Sequence, residues 1–290
     1  MSTASPTAPT PAPVTLSDTE SWELVAEGTN RTYPVWVSLP ASYADGGDRS
    51  YPVLFVTDAL YSFPLVRSIR NLLGQKGRNI EDFILVGLPP QKGLSSLQSR
   101  SRDYTPTDPR RRPGVSPGTY SGDNYGEAAA YRDFIERQVF PLVARRYRAD
   151  MQRKVFAGHS LGGLFGSFVL LTKPTMFQSY ILSSPSLWFD RHEILEYERA
   201  WAATNRDLPA RVMLYAGSFE AIGTGPRYFR KVDMVRDAQE FVRALESHGY
   251  PGLQIDHAVV HDEDHLSVYP GTISRGLLWA LPGHGPYTSG

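Results

Sequence analysis

The chain of 290 residues contains no cysteine. That absence excludes disulfides, thiolate nucleophiles and cysteine-ligated metals together. It leaves the compartment open, because cysteine-free proteins occur on both sides of membranes. Net charge is missing as well: 30 Lys+Arg balance 30 Asp+Glu. Nothing therefore points to nucleic acid or an anionic membrane surface as a partner. No apolar run approaches the roughly 20 residues of a membrane span. Met1 to Pro13 holds Ser, Thr, Ala and Pro, without the basic start and apolar centre of a secretory signal. The expectation is a cytoplasmic protein whose residues 1–20 form a disordered tail. What is present is ordinary for a globular enzyme, with 41% hydrophobic and 21% charged residues. Residues 21–290 are long enough to bury the core of one large α/β domain.

Trp22 to Val25 and Tyr33 to Leu39 alternate as strands do, with Gly28-Thr29-Asn30 to turn between them. Val53-Leu54-Phe55-Val56 and Phe83-Ile84-Leu85-Val86 are continuous apolar runs, the pattern of strands buried on both faces. Between them, Leu65, Ile69, Leu72 and Leu73 stand at helical spacing over Phe63 to Leu73. Residues 91–122, rich in proline, glycine and arginine, read as a long loop near the active site. Downstream, helices expected at Asn124–Tyr147, Arg191–Ala203, Val232–Gly249 and Ile273–Leu281 alternate with short apolar strands. Alternation of this kind predicts a mostly parallel sheet with right-handed crossovers, eight strands in all after an antiparallel start.

Residues 158–162 read Gly158-His159-Ser160-Leu161-Gly162, a G-x-S-x-G pentapeptide. The strand-like Lys154–Ala157 precedes it and the apolar helix-like Leu164–Leu171 follows. Strand, sharp turn and helix are the setting of a nucleophile elbow. A serine hydroxyl needs a base, a carboxylate to orient that base, and amide donors for the oxyanion. Those partners belong just beyond strand C-termini, where a parallel sheet gathers its site. His265, in Asp262-Glu263-Asp264-His265-Leu266-Ser267 after the last strand, is the preferred base, with His261 as its rival. Glu220, past the Arg211–Ala216 strand and a Gly217-Ser218-Phe219 turn, is the preferred acid, with Asp190, Asp233 and Asp237 as rivals. The oxyanion donors expected are the amides of Leu161 and of Leu60, with Ala59 the alternative to Leu60. A zinc site at His257, His261 and His265 needs those residues on a helix, but Ile255, Val259 and Val260 favour a strand. No metal and no cofactor is therefore expected.

The stretches Ala157–Leu164, Ser183-Ser184-Pro185-Ser186-Leu187-Trp188, Arg100–Thr107 and Glu263-Asp264-His265 with Ser267 carry a family likeness. The chain resembles the esterase D-like branch of the α/β-hydrolase superfamily, which includes siderophore esterases, S-formylglutathione hydrolase, feruloyl esterases and mycolyltransferases. Within that branch it is most similar to the siderophore (enterobactin) esterase-like group. The likeness runs in order over residues 22–281. It implies an α/β-hydrolase fold, Ser160 as nucleophile and His265 as base. The expected function is hydrolysis of a small-molecule carboxylic ester through an acyl-enzyme. Acyl transfer by the same serine, metal-dependent hydrolysis and a non-catalytic scaffold are the alternatives. Trp188 is expected to line the pocket or to pack in the core. Arg100 and Arg102 are expected either to meet a substrate carboxylate or catecholate, or to pin the loop through Asp103.

Overall fold

The computed structural model describes residues 13–74, 77–116 and 124–286. The tail expected at 1–20 lies mostly outside them, and β1 (Thr19–Val25) begins two residues before its end. β1, β2 (Thr32–Ser38), β3 (Tyr51–Thr57), β4 (Ile84–Leu88), β5 (Ala149–His159), β6 (Ser179–Ser183), β7 (Arg211–Gly217) and β8 (Gln254–Val260) form one sheet in the order β1-β2-β4-β3-β5-β6-β7-β8. β1 with β2, and β2 with β4, are antiparallel; the pairs joining β4, β3, β5, β6, β7 and β8 are parallel.

Successive strand residues face opposite sides, and the two cores divide accordingly. Val53, Phe55, Ile84, Val86, Phe156, Tyr180 and Leu182 belong to one core. Their neighbours Leu54, Val56, Leu85, Val155, Ala157 and Ile181 belong to the other. α1 (Ala59–Leu73) and α9 (Val268–Ala280) cover the second core. α3 (Ala128–Phe134), α4 (Phe140–Arg146), α5 (Leu161–Thr172), α7 (Ile194–Thr204) and α8 (Met234–Ser247) supply buried residues to the first.

Some elements differ from the expectation. α1 starts at Ala59 rather than Phe63, because the amides of Tyr61 and Ser62 already bond the Asp58 carbonyl. α9 starts at Val268, since Pro270 falls in the first turn where no N–H is needed. The segment 91–122 is not loop throughout: it holds α2 (Ser96–Asp103), opened by a Ser95/Gln98 capping box. A 3₁₀ turn follows at Pro109–Arg111, and residues 117–123 of the expected loop lie outside the described residues. The helix expected at 124–147 starts only at Ala128 and runs to Arg146, passing through a π turn, Ile135–Val139, just before Pro141. A π turn absorbs the hydrogen bond that proline cannot make. Past β6, α6 (Phe189–His192) contains a left-handed turn at Asp190, Arg191 and His192, with φ of 47°, 58° and 62°. Three non-glycine residues in that region are strained. Arg112 and Thr107 bond the buried Asp190 carboxylate, Arg112 also pairs with Glu193, and Arg191 donates to the Pro113 carbonyl.

Arg70 fastens α1 to the sheet. It is 4% exposed and donates to the carbonyls of Ser38 (3.0 Å), Leu39 (3.0 Å) and Phe83 (3.1 Å) and to Ser38 Oγ (2.9 Å). Burial lowers its pKa to about 10. Replacement by methionine strands those acceptors, so Arg70→Met is expected to lower the unfolding free energy in urea by about 2–4 kcal/mol. An unchanged midpoint and slope would show that the acceptors find other donors.

Candidate active site

β5 ends at His159, and Ser160 then turns the chain into α5 with φ 58° and ψ −119°. Two neighbours fix this strained turn: the Ser160 amide bonds the Ser183 carbonyl at 3.0 Å, and the Ser186 amide bonds the Ser160 carbonyl at 3.0 Å. The elbow glycines are needed for room. A Cβ on Gly158 would lie 2.4 Å from the Gly162 carbonyl, and one on Gly162 would lie 2.3 Å from Thr57 Oγ1. The elbow is thus pressed against the end of β3. Ser160 Oγ is hydrogen-bonded to Ser186 Oγ at 3.3 Å, and among the described residues it makes no bond to His265. Such contacts often tighten only when substrate is bound.

Glu220 ends a 3₁₀ turn, Ser218–Glu220, directly after β7. It is fully buried. Its Oε1 accepts from Ser184 Oγ at 2.5 Å and from the Gly217 amide at 2.7 Å, and its Oε2 lies 2.7 Å from His265 Nδ1. The loop after β8 brings His265 there. Its Glu263 carbonyl accepts from the Phe219 amide at 3.0 Å and would lie 2.4 Å from a Cβ on Gly217. Only glycine at 217 lets the loop approach so closely. Asp264 Oδ1 accepts the amides of Leu266 and Ser267, and these bonds together with Arg227 hold its carboxyl down at about 2. The rival acids are engaged elsewhere. Asp190 sits on Arg112 and Thr107, Asp233 caps α8 through the Arg236 amide, and buried Asp237 lies 3.1 Å from His192 Nε2.

The amides of Ala59 and Leu60 open α1, and that of Leu161 opens α5; first-turn amides have no intrahelical acceptor. Asp58, at φ 52°, precedes α1, and its own amide donates to Tyr104 Oη at 3.2 Å. The Asp58 carboxyl is raised by burial, a shift opposed by Arg100, whose Nη2 lies 3.0 Å away. A cavity of about 130 Å³ opens here, lined by residues including Leu60, Tyr61, Arg100 and Tyr104.

Arg102 departs from the substrate role considered for it. It is 4% exposed, with Nε 2.7 Å from Asp103 and Nη2 2.8 Å from Tyr33 Oη, so it pins α2. Trp188 is half-buried beside Phe189 and packs against the first core. The three C-terminal histidines are not gathered. His257 lies within β8, His261 is exposed beside Asp262, and His265 is held by Glu220. Among the described residues no group of three or more His, Asp or Glu could hold a metal ion. Among the same residues, no helix is long and apolar enough to cross a membrane.

The sequence reading passed over two features of this site. His159 is buried, its ring centre 4.6 Å from that of His265, with Nδ1 3.2 Å from Ser183 Oγ. Ser184 and Ser186 contact Glu220 and Ser160 respectively. The only sequence sign was the Ser-Ser-Pro-Ser run after the strand next to the elbow.

The sequence model of the family described as "Putative esterase" matches residues 26–250. The chain belongs to this esterase family. This esterase is 29% identical over 279 residues to the ferri-bacillibactin esterase BesA of Bacillus subtilis, covering 95% of the chain and 93% of that protein. It is 28% identical to a siderophore triacetylfusarinine C esterase of Aspergillus fumigatus, covering 92% of the chain and 94% of that protein. Among solved structures, the BES protein of Bacillus cereus superposes with a TM-score of 0.78 at 26% identity, covering 93% of this chain and 98% of that one. The esterase is therefore a carboxylic ester hydrolase of the serine-hydrolase type with the α/β-hydrolase architecture that its motifs implied.

Burial, reinforced by nearby His265 and Arg100, lowers the pKa of His159 from 6.5 to about 3. A histidine kept neutral in the fold takes up its proton more readily once unfolded. Its contribution to stability is complete above pH 6.5 and is lost as the pH falls from there toward 3. His159→Phe is therefore expected to flatten the stability–pH curve in this window by up to about 1.4 kcal/mol per pH unit. Denaturant titrations at several pH values measure it, and parallel curves for both proteins would refute the assignment.

Proposed function

We propose that this esterase hydrolyses a siderophore ester through an acyl-enzyme on Ser160. The observation that carries the reading is the 2.7 Å bond between His265 Nδ1 and the fully buried Glu220, on loops flanking the Ser160 elbow. Glu220 holds the Nδ1–H tautomer, which leaves Nε2 of His265 free to accept a proton. Ser160 Oγ turns from Ser186, loses its proton to His265 Nε2 and attacks the ester carbonyl. The amides of Leu161 and Leu60 receive the oxyanion. As the tetrahedral intermediate collapses, His265 passes the proton to the departing alkoxide, and the acyl group stays on Ser160. Water then attacks the acyl-enzyme, again losing a proton to His265; as this second intermediate collapses, His265 returns the proton to the departing Ser160 Oγ, and the carboxylic acid is released.

Two lines support a siderophore as substrate. The relatives from Bacillus and Aspergillus are both siderophore esterases by name. Arg100, partly exposed and paired with Asp58, borders the cavity at the oxyanion turn and offers a cationic edge to an anionic ligand.

Ser160→Ala is expected to lower turnover of p-nitrophenyl acetate by at least about 1,000-fold while leaving the melting temperature in place. Wild-type activity in that variant would sink the serine mechanism. Glu220→Gln should lose far more kcat than Asp233→Asn, because only Glu220 touches the base. For the substrate, ferri-bacillibactin and triacetylfusarinine C are incubated with the enzyme and followed by mass spectrometry. Addition of one water per cleaved ester is expected for at least one of them. Cleavage of the aryl ester with both siderophores left intact would overturn the substrate assignment alone.

A further inference from the structure

The polar side chains of the Ser183-Ser184-Pro185-Ser186 segment reach three different members of the site. Ser183 Oγ lies 3.2 Å from His159 Nδ1, Ser184 Oγ 2.5 Å from Glu220 Oε1, and Ser186 Oγ 3.3 Å from Ser160 Oγ. Of these contacts, that of Ser184 is the shortest and the most buried. Ser184 is 1% exposed and Glu220 is 0% exposed. The bond is charge-assisted, with a hydroxyl donating to a carboxylate, which is the stronger kind.

A glutamate carboxylate rotates broadly about its last torsion. Aiming one oxygen at His265 therefore requires a hold on the other. The Gly217 amide supplies part of that hold, at 2.7 Å on Oε1. It comes from Glu220's own turn and moves with it. Ser184 directly follows the neighbouring strand β6, and its amide is anchored to the Tyr215 carbonyl at 2.7 Å. It is thus the fixed external point for the carboxylate. Its backbone is also strained, with φ 41° at a non-glycine residue just before Pro185. A buried hydroxyl held in a strained backbone and aimed at the acid is more than packing requires.

We infer that Ser184 is a positioning residue of the catalytic machinery, holding one oxygen of Glu220 so that the other stays on His265. This rests on the roles proposed above for Ser160, His265 and Glu220. Glu220 is bonded by Ser184, the Gly217 amide and His265. His265 is flanked by Glu220, by the ring of His159 and by the ring of Phe229. On its own loop, Asp264 is paired with Arg227, which lies over the Phe219 ring. Among the described residues Glu220 is therefore the one carboxylate in contact with the imidazole. Removing its outer donor lets the carboxylate turn from His265, and an imidazole without that partner holds a proton less firmly.

The test compares Ser184→Ala and Ser184→Gly with Ser160→Ala and wild type on p-nitrophenyl acetate. The glycine variant removes the hydroxyl while relieving the left-handed backbone, so a folded protein is available even if the alanine variant is unstable. Loss of a hydrogen bond to a charged group is expected to cut kcat by about 10- to 100-fold. KM should stay within about twofold, as befits a group that touches no substrate. The acid limb of the kcat/KM profile should move to lower pH. If Ser160→Ala is inactive but Ser184→Gly keeps wild-type kcat and an unmoved acid limb, the role of Ser184 is refuted and the triad stands. A raised KM at unchanged kcat refutes it equally. Retained activity in Ser160→Ala overturns the triad reading and the role of Ser184 with it.

Discussion

A carboxylate with no solvent contact must be paired and fully hydrogen-bonded, or it destabilises the fold that buries it. Glu220 meets that demand with three donors drawn from three loops: Ser184 after β6, Gly217 at the end of β7 and His265 after β8. Satisfying one buried charge thus fastens three crossover ends together. The requirement spreads outward from there. The post-β8 loop can reach Glu220 only because residue 217 has no side chain, and it keeps its shape through Asp264 and the Leu266 and Ser267 amides. The post-β6 loop reaches it only with Ser184 in a strained conformation. Strand register makes this possible. His159 pairs with Ser183 and Ser183 with Tyr215, so the strand ends deliver their loops side by side.

The second organising contact is between the elbow and the end of β3. Gly162 lies against Thr57, which brings the N-terminus of α5 close to that of α1. The first-turn amides of two helices then lie close together beside the elbow, an arrangement suited to developing negative charge. Asp58 would work against this if it stood alone. Arg100, reaching across from α2, balances it. α2 in turn is held by the buried Arg102–Asp103–Tyr33 group. A polar helix from another part of the chain therefore sets the charge around the turn that opens α1.

The sequence disclosed what is written in local pattern. Continuous apolar runs marked the buried strands, and the glycine-flanked serine marked the elbow. Chain order and position after a strand were enough to single out Glu220 and His265, which the fold brings into contact. α2 was hidden because Ser96–Asp103 has no apolar period: what holds it is a capping box and buried ion pairs, and only the Ser95-x-x-Gln98 spacing betrayed it. Arg102 could not be distinguished from a ligand-binding arginine, since the choice depends on Tyr33, 69 residues away in the chain. Ser184 and His159 have meaning only through neighbours on other strands, and no spacing rule encodes a cross-strand hydrogen bond to a buried acid.

Among the contacts that hold the left-handed turn at Asp190–His192 to the 107–113 segment are two ion pairs of Arg112, of different electrical character. The Arg112–Asp190 contact involves a carboxylate only 1% exposed, whereas the Glu193 side of the clamp is 19% exposed. Dissolved ions weaken exposed pairs and scarcely reach buried ones. Rising ionic strength therefore weakens the Arg112–Glu193 pair more than the Arg112–Asp190 pair. The segment next to Trp188 thus keeps its buried fastening in concentrated salt while its outer one loosens.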